Sequence, residues 1–140
     1  MMNRAKAISA AYLLLRVITG LLFAESGSLK LFGWFGGMLP HVGAAQFGTQ
    51  PWIGGVLEVF GGVLIALGLF TRPVAFVLAG EMAVAYWQFH APKAFFPVLN
   101  HGEPAILFCF IYLFMAAYGG GDWSLDALIR RKRCGAANGG

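Results

Sequence analysis

Residues 8–32 read ISAAYLLLRVITGLLFAESGSLKLF, and this stretch decides the fold. At about 1.5 Å per residue a helix of this length spans the roughly 30 Å hydrocarbon core of a bilayer. Its apolar residues run on instead of alternating, so a barrel strand is excluded and a helix is predicted. Arg16, Glu25 and Lys30 interrupt it. Arg16, Gly20, Phe23, Gly27 and Lys30 recur three or four residues apart and therefore share one stripe, whose small residues let a second helix come close. Gly33-Trp34-Phe35-Gly36-Gly37 ends the segment. It is too long for a cleaved leader, Arg16 interrupts it and no small-residue cleavage site follows, so it reads as a retained signal anchor.

Working outward, apolar segments follow at residues 52–70, 73–90 and 102–118, and a basic tail closes the chain at residues 122–140. Thr71-Arg72-Pro73 breaks the second from the third: Thr71 suits a helix cap and Pro73 a first turn. Of the 140 residues, 59% are hydrophobic and 11% charged, against about 25% charged in a soluble domain. Too few polar groups remain to cover a globule in water. The expected architecture is all-α: one domain over residues 1–140, a bundle of four transmembrane helices. The net charge is +4, but the basic residues flank the apolar segments instead of coating one face, so nucleic-acid binding is not expected. Arg4, Lys6, Arg72 and Arg130 to Arg133 all fall on one side of such a bundle, while the opposite loops hold only Lys93. The positive-inside rule then makes both termini cytoplasmic. Trp34, Trp52, Trp87 and Trp123 sit near segment ends, as an aromatic belt requires.

All four glutamates fall in these segments, one in each: Glu25, Glu58, Glu81 and Glu103. A charge in the bilayer core costs about 2.5–3.5 kcal/mol, and the apolar residues around Glu81 together return only about as much. Glu81 is therefore expected to be paired or protonated and to face the bundle. Arg16 and Glu81 each lie eight residues in from the inner side, about 12 Å deep, which predicts an Arg16–Glu81 structural ion pair. Glu58 shares a stripe with Gly54, Gly55, Gly61 and Gly62 and also looks inward. Lys30 lies near the outer end, where Glu58 or Glu103 would meet it. Glu25 is about 140° from Lys30 around its helix and faces another helix, a neighbouring subunit or a cavity.

Asn100-His101-Gly102-Glu103 fits a capping box, with Asn100 as cap, and Pro104 fits the first turn behind it. The same residues also suit a ligand site, because His101 adjoins Glu103 and His90 ends the neighbouring segment. With His41, all three histidines lie toward the outer face. A haem held by two facing histidines is not expected, since only His90 falls within a segment, and no metal site is expected. Cys109 and Cys134 form no CxxC pair and read as free thiols. The candidate ligand-binding residues are Glu58, His90, His101, Glu103 and Lys30.

These residues, taken in order, resemble the DoxX family of small four-helix membrane proteins. The resemblance runs from Leu13 to Leu128. It is carried by Arg16 to Gly33, by Leu57-Glu58-Val59-Phe60-Gly61-Gly62 with Gly68-Leu69-Phe70-Thr71-Arg72, by Ala85-Tyr86 with His90-Ala91-Pro92, by Asn100-His101-Gly102-Glu103, and by Trp123-Ser124-Leu125-Asp126. There are two departures. Many members carry histidine where this chain has Ser26, and the common N-G-G-E reads N-H-G-E here. The family takes its name from similarity to subunits of a thiosulfate:quinone oxidoreductase. The resemblance therefore implies a multi-pass protein of a bacterial-type inner (plasma) membrane and, at most, a subunit of a quinone-linked oxidoreductase. No redox centre of its own is evident, so electrons would come from a partner protein. A quinone, or a similar small apolar ligand in an outer polar pocket, is the one cofactor to which the resemblance points. The lipid bilayer, a redox partner protein or further copies of the chain are the expected partners. The alternative is a non-enzymatic scaffold, assembly factor or small-molecule carrier, in keeping with distant relatives that act in membrane-protein maturation.

Overall fold

The computed structural model describes residues 3–37 and 43–137, and among these every regular element is helical. His41 and residues 138–140 of the basic tail lie outside them. Six α-helices follow in order: α1 Arg4–Phe32, α2 Gln50–Leu67, α3 Thr71–Ala85, α4 Pro97–Asn100, α5 Glu103–Tyr118 and α6 Leu125–Ala137. The chain divides into two compact units. One holds the residues up to Thr71 and those from Gly120 onward; the other is Arg72–Gly119.

In the first unit α1 and α2 pack antiparallel along the stripe of small residues. A Cβ placed on Gly20 would lie 2.5 Å from the Gly62 carbonyl oxygen, and one on Gly62 would lie 2.5 Å from that of Gly20. A Cβ on Gly27 would lie 2.6 Å from the carbonyl oxygen of Gly55. The two backbones touch, and no larger residue fits between them. The outward faces are apolar: Leu14, Ile18, Leu21, Phe60 and Leu67 are all exposed. Only 28% of the apolar window of each helix is buried. Two core helices of a water-soluble protein would hide such residues. Two buried hydroxyls on α1 are satisfied within the helix, Thr19 donating to the Leu15 carbonyl and Ser28 to that of Ala24, each at 2.7 Å.

Where α2 ends, the C-terminal segment closes onto it. Gly68 takes a left-handed φ of 69°, and any Cβ there would overlap the Arg16 guanidinium. Arg16 is 1% exposed and donates through Nη2 to the Trp123 carbonyl at 2.8 Å. Asp126 does three things: its amide donates to the Gly68 carbonyl at 2.9 Å, and its carboxylate accepts from the amides of Phe70 at 2.8 Å and Thr71 at 2.9 Å. The carboxylate thus satisfies the free amides at the start of α3. Ser124 starts α6, accepting from the Ala127 amide at 3.1 Å and donating to the Gly121 carbonyl at 2.8 Å. Ser9 donates to Asp122 at 2.9 Å.

The second unit carries α3, which runs on through a wider π turn, Tyr86–His90, closed by the Ala91 amide on the Tyr86 carbonyl at 2.9 Å. The short α4 and then α5 follow.

Several expectations change in detail. The segment read as a basic tail holds a helix, α6. The cap of α3 is the side chain of Asp126, brought from 55 residues away, and not that of Thr71, whose buried Oγ1 has no hydrogen-bond partner among the described residues. The capping box at Glu103 does not form. Asn100 ends α4, its Oδ1 accepts from the Gly102 amide at 2.8 Å, and α5 starts at Glu103 without a side-chain cap. The short side chain reaches only two residues ahead once His101 adopts a left-handed φ of 55°. Of the four expected spans, α1 and α2 are long and apolar enough to cross a membrane; α5 is apolar but shorter.

Gly20→Leu, measured by thermal unfolding in detergent, is expected to cost at least about 1–3 kcal/mol by overpacking. Gly80→Ala on α3 meets open space and is expected to be neutral or to stabilise by up to about 1 kcal/mol. Asp126→Ala, which strands two amides, is expected to cost about 1–3 kcal/mol, with Asn giving a smaller loss. Asp122→Ala, at an exposed hydrogen bond, should stay within about 0.5 kcal/mol.

Candidate functional site

The far end of the α1–α2 pair holds an ion pair that follows from the glycine contact. Gly27 and Gly55 let the backbones meet, and Lys30 lies one turn beyond Gly27 on the same face of α1. A Cβ on Gly55 would come within 3.0 Å of the Lys30 and Leu31 side chains, so glycine also leaves room for the lysine stem. Glu58, one turn along α2, then receives Lys30: Nζ lies 2.6 Å from Oε1. Ser26 donates to the other carboxylate oxygen, Oε2, at 3.2 Å. The Glu58 side chain is 3% exposed and that of Lys30 23%, so the carboxylate is enclosed while the lysine side chain is partly exposed. Of the partners open to Lys30, the structure selects Glu58.

A buried pair of this kind holds itself together chiefly because either charge alone would be costly. Removing one partner of a buried pair costs about 3–5 kcal/mol, whereas neutralising both is often tolerated. The chemistry on offer is a charged donor with free N–H groups, a carboxylate acceptor and a hydroxyl, set among apolar side chains. Such a set can hydrogen-bond a polar headgroup whose body is apolar.

In the second unit, His90 sits in the π turn. Its Nδ1 lies 2.9 Å from the Asn100 carbonyl oxygen, which can only accept, so Nδ1 carries the hydrogen and the neutral ring keeps Nε2 as an acceptor. Its ring stacks on Tyr86 at 6.4 Å and 18°. Asn100 is fully buried, and its Nδ2 donates to the Ala94 carbonyl at 2.9 Å. Tyr86 and Asn100 thus fix His90 from two directions. Gly102 is required beside them, since a Cβ there would lie 2.6 Å from both Asn100 Oδ1 and the Tyr86 ring. His101 and Glu103 are exposed.

Lys30 and Glu58 therefore belong to the first unit and His90, His101 and Glu103 to the second. Arg16 likewise belongs to the first unit and Glu81 to the second; the Arg16 Nε and Nη1 atoms carry no hydrogen bond among the described residues. Sequence reasoning met Ser26 only as a departure from the resemblance and gave it no partner; its place one turn before Lys30 was a further signal. That reasoning passed over Tyr86 and Asn100 as supports of His90. Here the Ser26 hydroxyl bonds Glu58 directly. Among the described residues no three of His, Cys, Asp or Glu gather as a metal site would need. Cys109 and Cys134 are free.

Residues 11–91 match the DoxX family. The chain is also similar to an uncharacterized protein of Haemophilus influenzae, 36% identical over 121 residues that cover 84% of this chain and 90% of that protein. No solved structure matches the chain. With more than half of its length matched to the family, and two long apolar helices that suit the membrane setting the family implies, the chain belongs to the DoxX family.

Proposed function

We propose that the chain is a redox-linked membrane subunit that binds a quinone, or a similar small apolar ligand, through the polar group formed by Lys30, Glu58 and Ser26. The observation that carries this reading is the ion pair itself. A carboxylate side chain enclosed to 3% exposure beside a partly exposed lysine, on helices otherwise faced with apolar residues, is a costly arrangement in a bilayer. Ionisable groups held there usually mark a ligand or proton path. Lys30 offers N–H donors to a quinone carbonyl, and Glu58 and Ser26 accept and relay the accompanying hydrogen bonds. A quinone, when bound, supplies the redox chemistry; electrons reach it from a partner protein. In the second unit His90, His101 and Glu103 are the ligand candidates, with the Nε2 of His90 able to accept from a hydroxyl.

In this reading the helical stretch of residues 71–90 and helix α5 supply two further spans. Arg4, Lys6, Arg72 and the α6 basic run then stand on the cytoplasmic side of an inner membrane, together with both termini.

The test is quinone titration of the full chain reconstituted in lipid, followed by the quenching of its tryptophans. Saturable binding is expected, weakened about tenfold or more by Glu58→Gln or Lys30→Met, the usual cost of losing a charged hydrogen bond. The double variant Lys30→Met/Glu58→Gln separates function from structural support. It is expected to unfold near the parent temperature and still fail to bind. Unchanged binding in the double variant, or no saturable binding in the parent, sinks the proposal. A stable protein partner recovered without any bound ligand would favour the scaffold or assembly reading instead.

A further inference from the structure

We infer that α6 is an interfacial helix that docks on the anionic phospholipid headgroups of the membrane carrying the chain. Three observations in the first unit carry this. The first is level. Helix α2 has 18 residues, about 27 Å of helix, close to the thickness of a hydrocarbon core. Gly68 therefore marks the boundary at one end of α2. The amide of Asp126 bonds the Gly68 carbonyl at 2.9 Å, which starts α6 at that boundary.

The second is patterning. Ala127 is 1% exposed and turns toward the body of the unit, whereas Leu128 is 51% and Ile129 41% exposed. Leu125, Leu128, Ile129 and Lys132 recur at the three- and four-residue spacings of a single helical stripe. The stripe is apolar except for a lysine whose stem can lie along it with its ammonium among headgroups. Trp123, just before the helix, is 50% exposed and suits the same interfacial level.

The third is charge. Arg130, Arg131, Lys132 and Arg133 are all exposed, and Arg4 and Lys6 are exposed at the same end of α1. The two acidic residues of this region are engaged elsewhere, Asp122 by the Ser9 hydroxyl and Asp126 by the amides of Phe70 and Thr71. On α6 the four basic residues therefore outnumber the single carboxylate, Asp126, which the amides hold at the start of the helix. An apolar stripe edged by arginines at the level of headgroups fits an anionic lipid surface. A nucleic acid or acidic peptide would leave Leu128 and Ile129 in water. The anchoring bonds of Ser124 and Asp126 hold the helix in place, so docking orders little new chain.

The experiment uses the full chain with Cys109→Ser, Cys134→Ser and a nitroxide on Leu128→Cys. It is reconstituted in phosphatidylcholine vesicles with and without phosphatidylglycerol. With the anionic lipid, the label should collide with dissolved oxygen more often than with an aqueous nickel complex. Without it, or in high salt, the preference should fall. Each basic residue near an anionic surface favours docking by about fivefold, so the variant R130Q/R131Q/K132Q/R133Q is expected to lose the lipid dependence altogether. Equal collision ratios in the two vesicle types overturn the inference, as does an anionic-lipid response that survives in the neutral variant. The salt response of the parent supplies the same test without relying on that variant.

Discussion

The close approach of α1 and α2 is the constraint on which the first unit depends. Gly20 against Gly62, and Gly27 against Gly55, bring two backbones into contact with no side chain between them. In a bilayer there is no hydrophobic drive between helices, because lipid is as apolar as leucine; packing and polar bonds must hold them. The glycine contact supplies the packing and sets the register. From that register two polar events follow, one at each end. Lys30 meets Glu58 one turn beyond the Gly27 contact, and Arg16 meets the carbonyl of Trp123 beside Gly68.

The two ends solve the burial of charge differently. At the Gly68 end the guanidinium is enclosed, and a backbone carbonyl takes one of its donors. The nearby Asp126 is occupied with amides, so the cluster behaves as a clasp between the end of α2, the start of α3 and the start of α6. At the Lys30 end the carboxylate is enclosed, but the lysine side chain is partly exposed. A partly exposed lysine beside an enclosed carboxylate can exchange one hydrogen-bond partner for another without unfolding its surroundings. That asymmetry is why the ligand reading is placed at this end and the structural role at the other.

The periodicity of residues 8–32 made the first helix legible, and the stripe through Arg16, Gly20, Gly27 and Lys30 is the face that α2 meets. The inward look of Glu58 was legible for the same reason, since it shares a stripe with Gly55 and Gly62. The choice of Glu58 over Glu103 as the partner of Lys30 was not, because helical phase gives direction and not register between helices. The work of Asp126 was hidden too: a cap supplied from 55 residues away leaves no local signature at Thr71. The capping box at Asn100 failed for a local reason, the left-handed turn at His101 that stops α4 before α5 begins. Helix α6 was missed because its charge pattern read as a tail, although the stripe of Leu125, Leu128 and Ile129 was there to be found.

The most direct measurement is the dipolar coupling between an isotope-labelled Lys30 ammonium nitrogen and the Glu58 carboxyl carbon, recorded by solid-state NMR in lipid bilayers. It is made on the parent chain and on Gly27→Val. A strong coupling in the parent that disappears in Gly27→Val is the predicted result, because valine would force the two backbones apart where the pair forms. No coupling in the parent, or a coupling that Gly27→Val leaves unchanged, would contradict the claim that glycine contact between α1 and α2 builds the site.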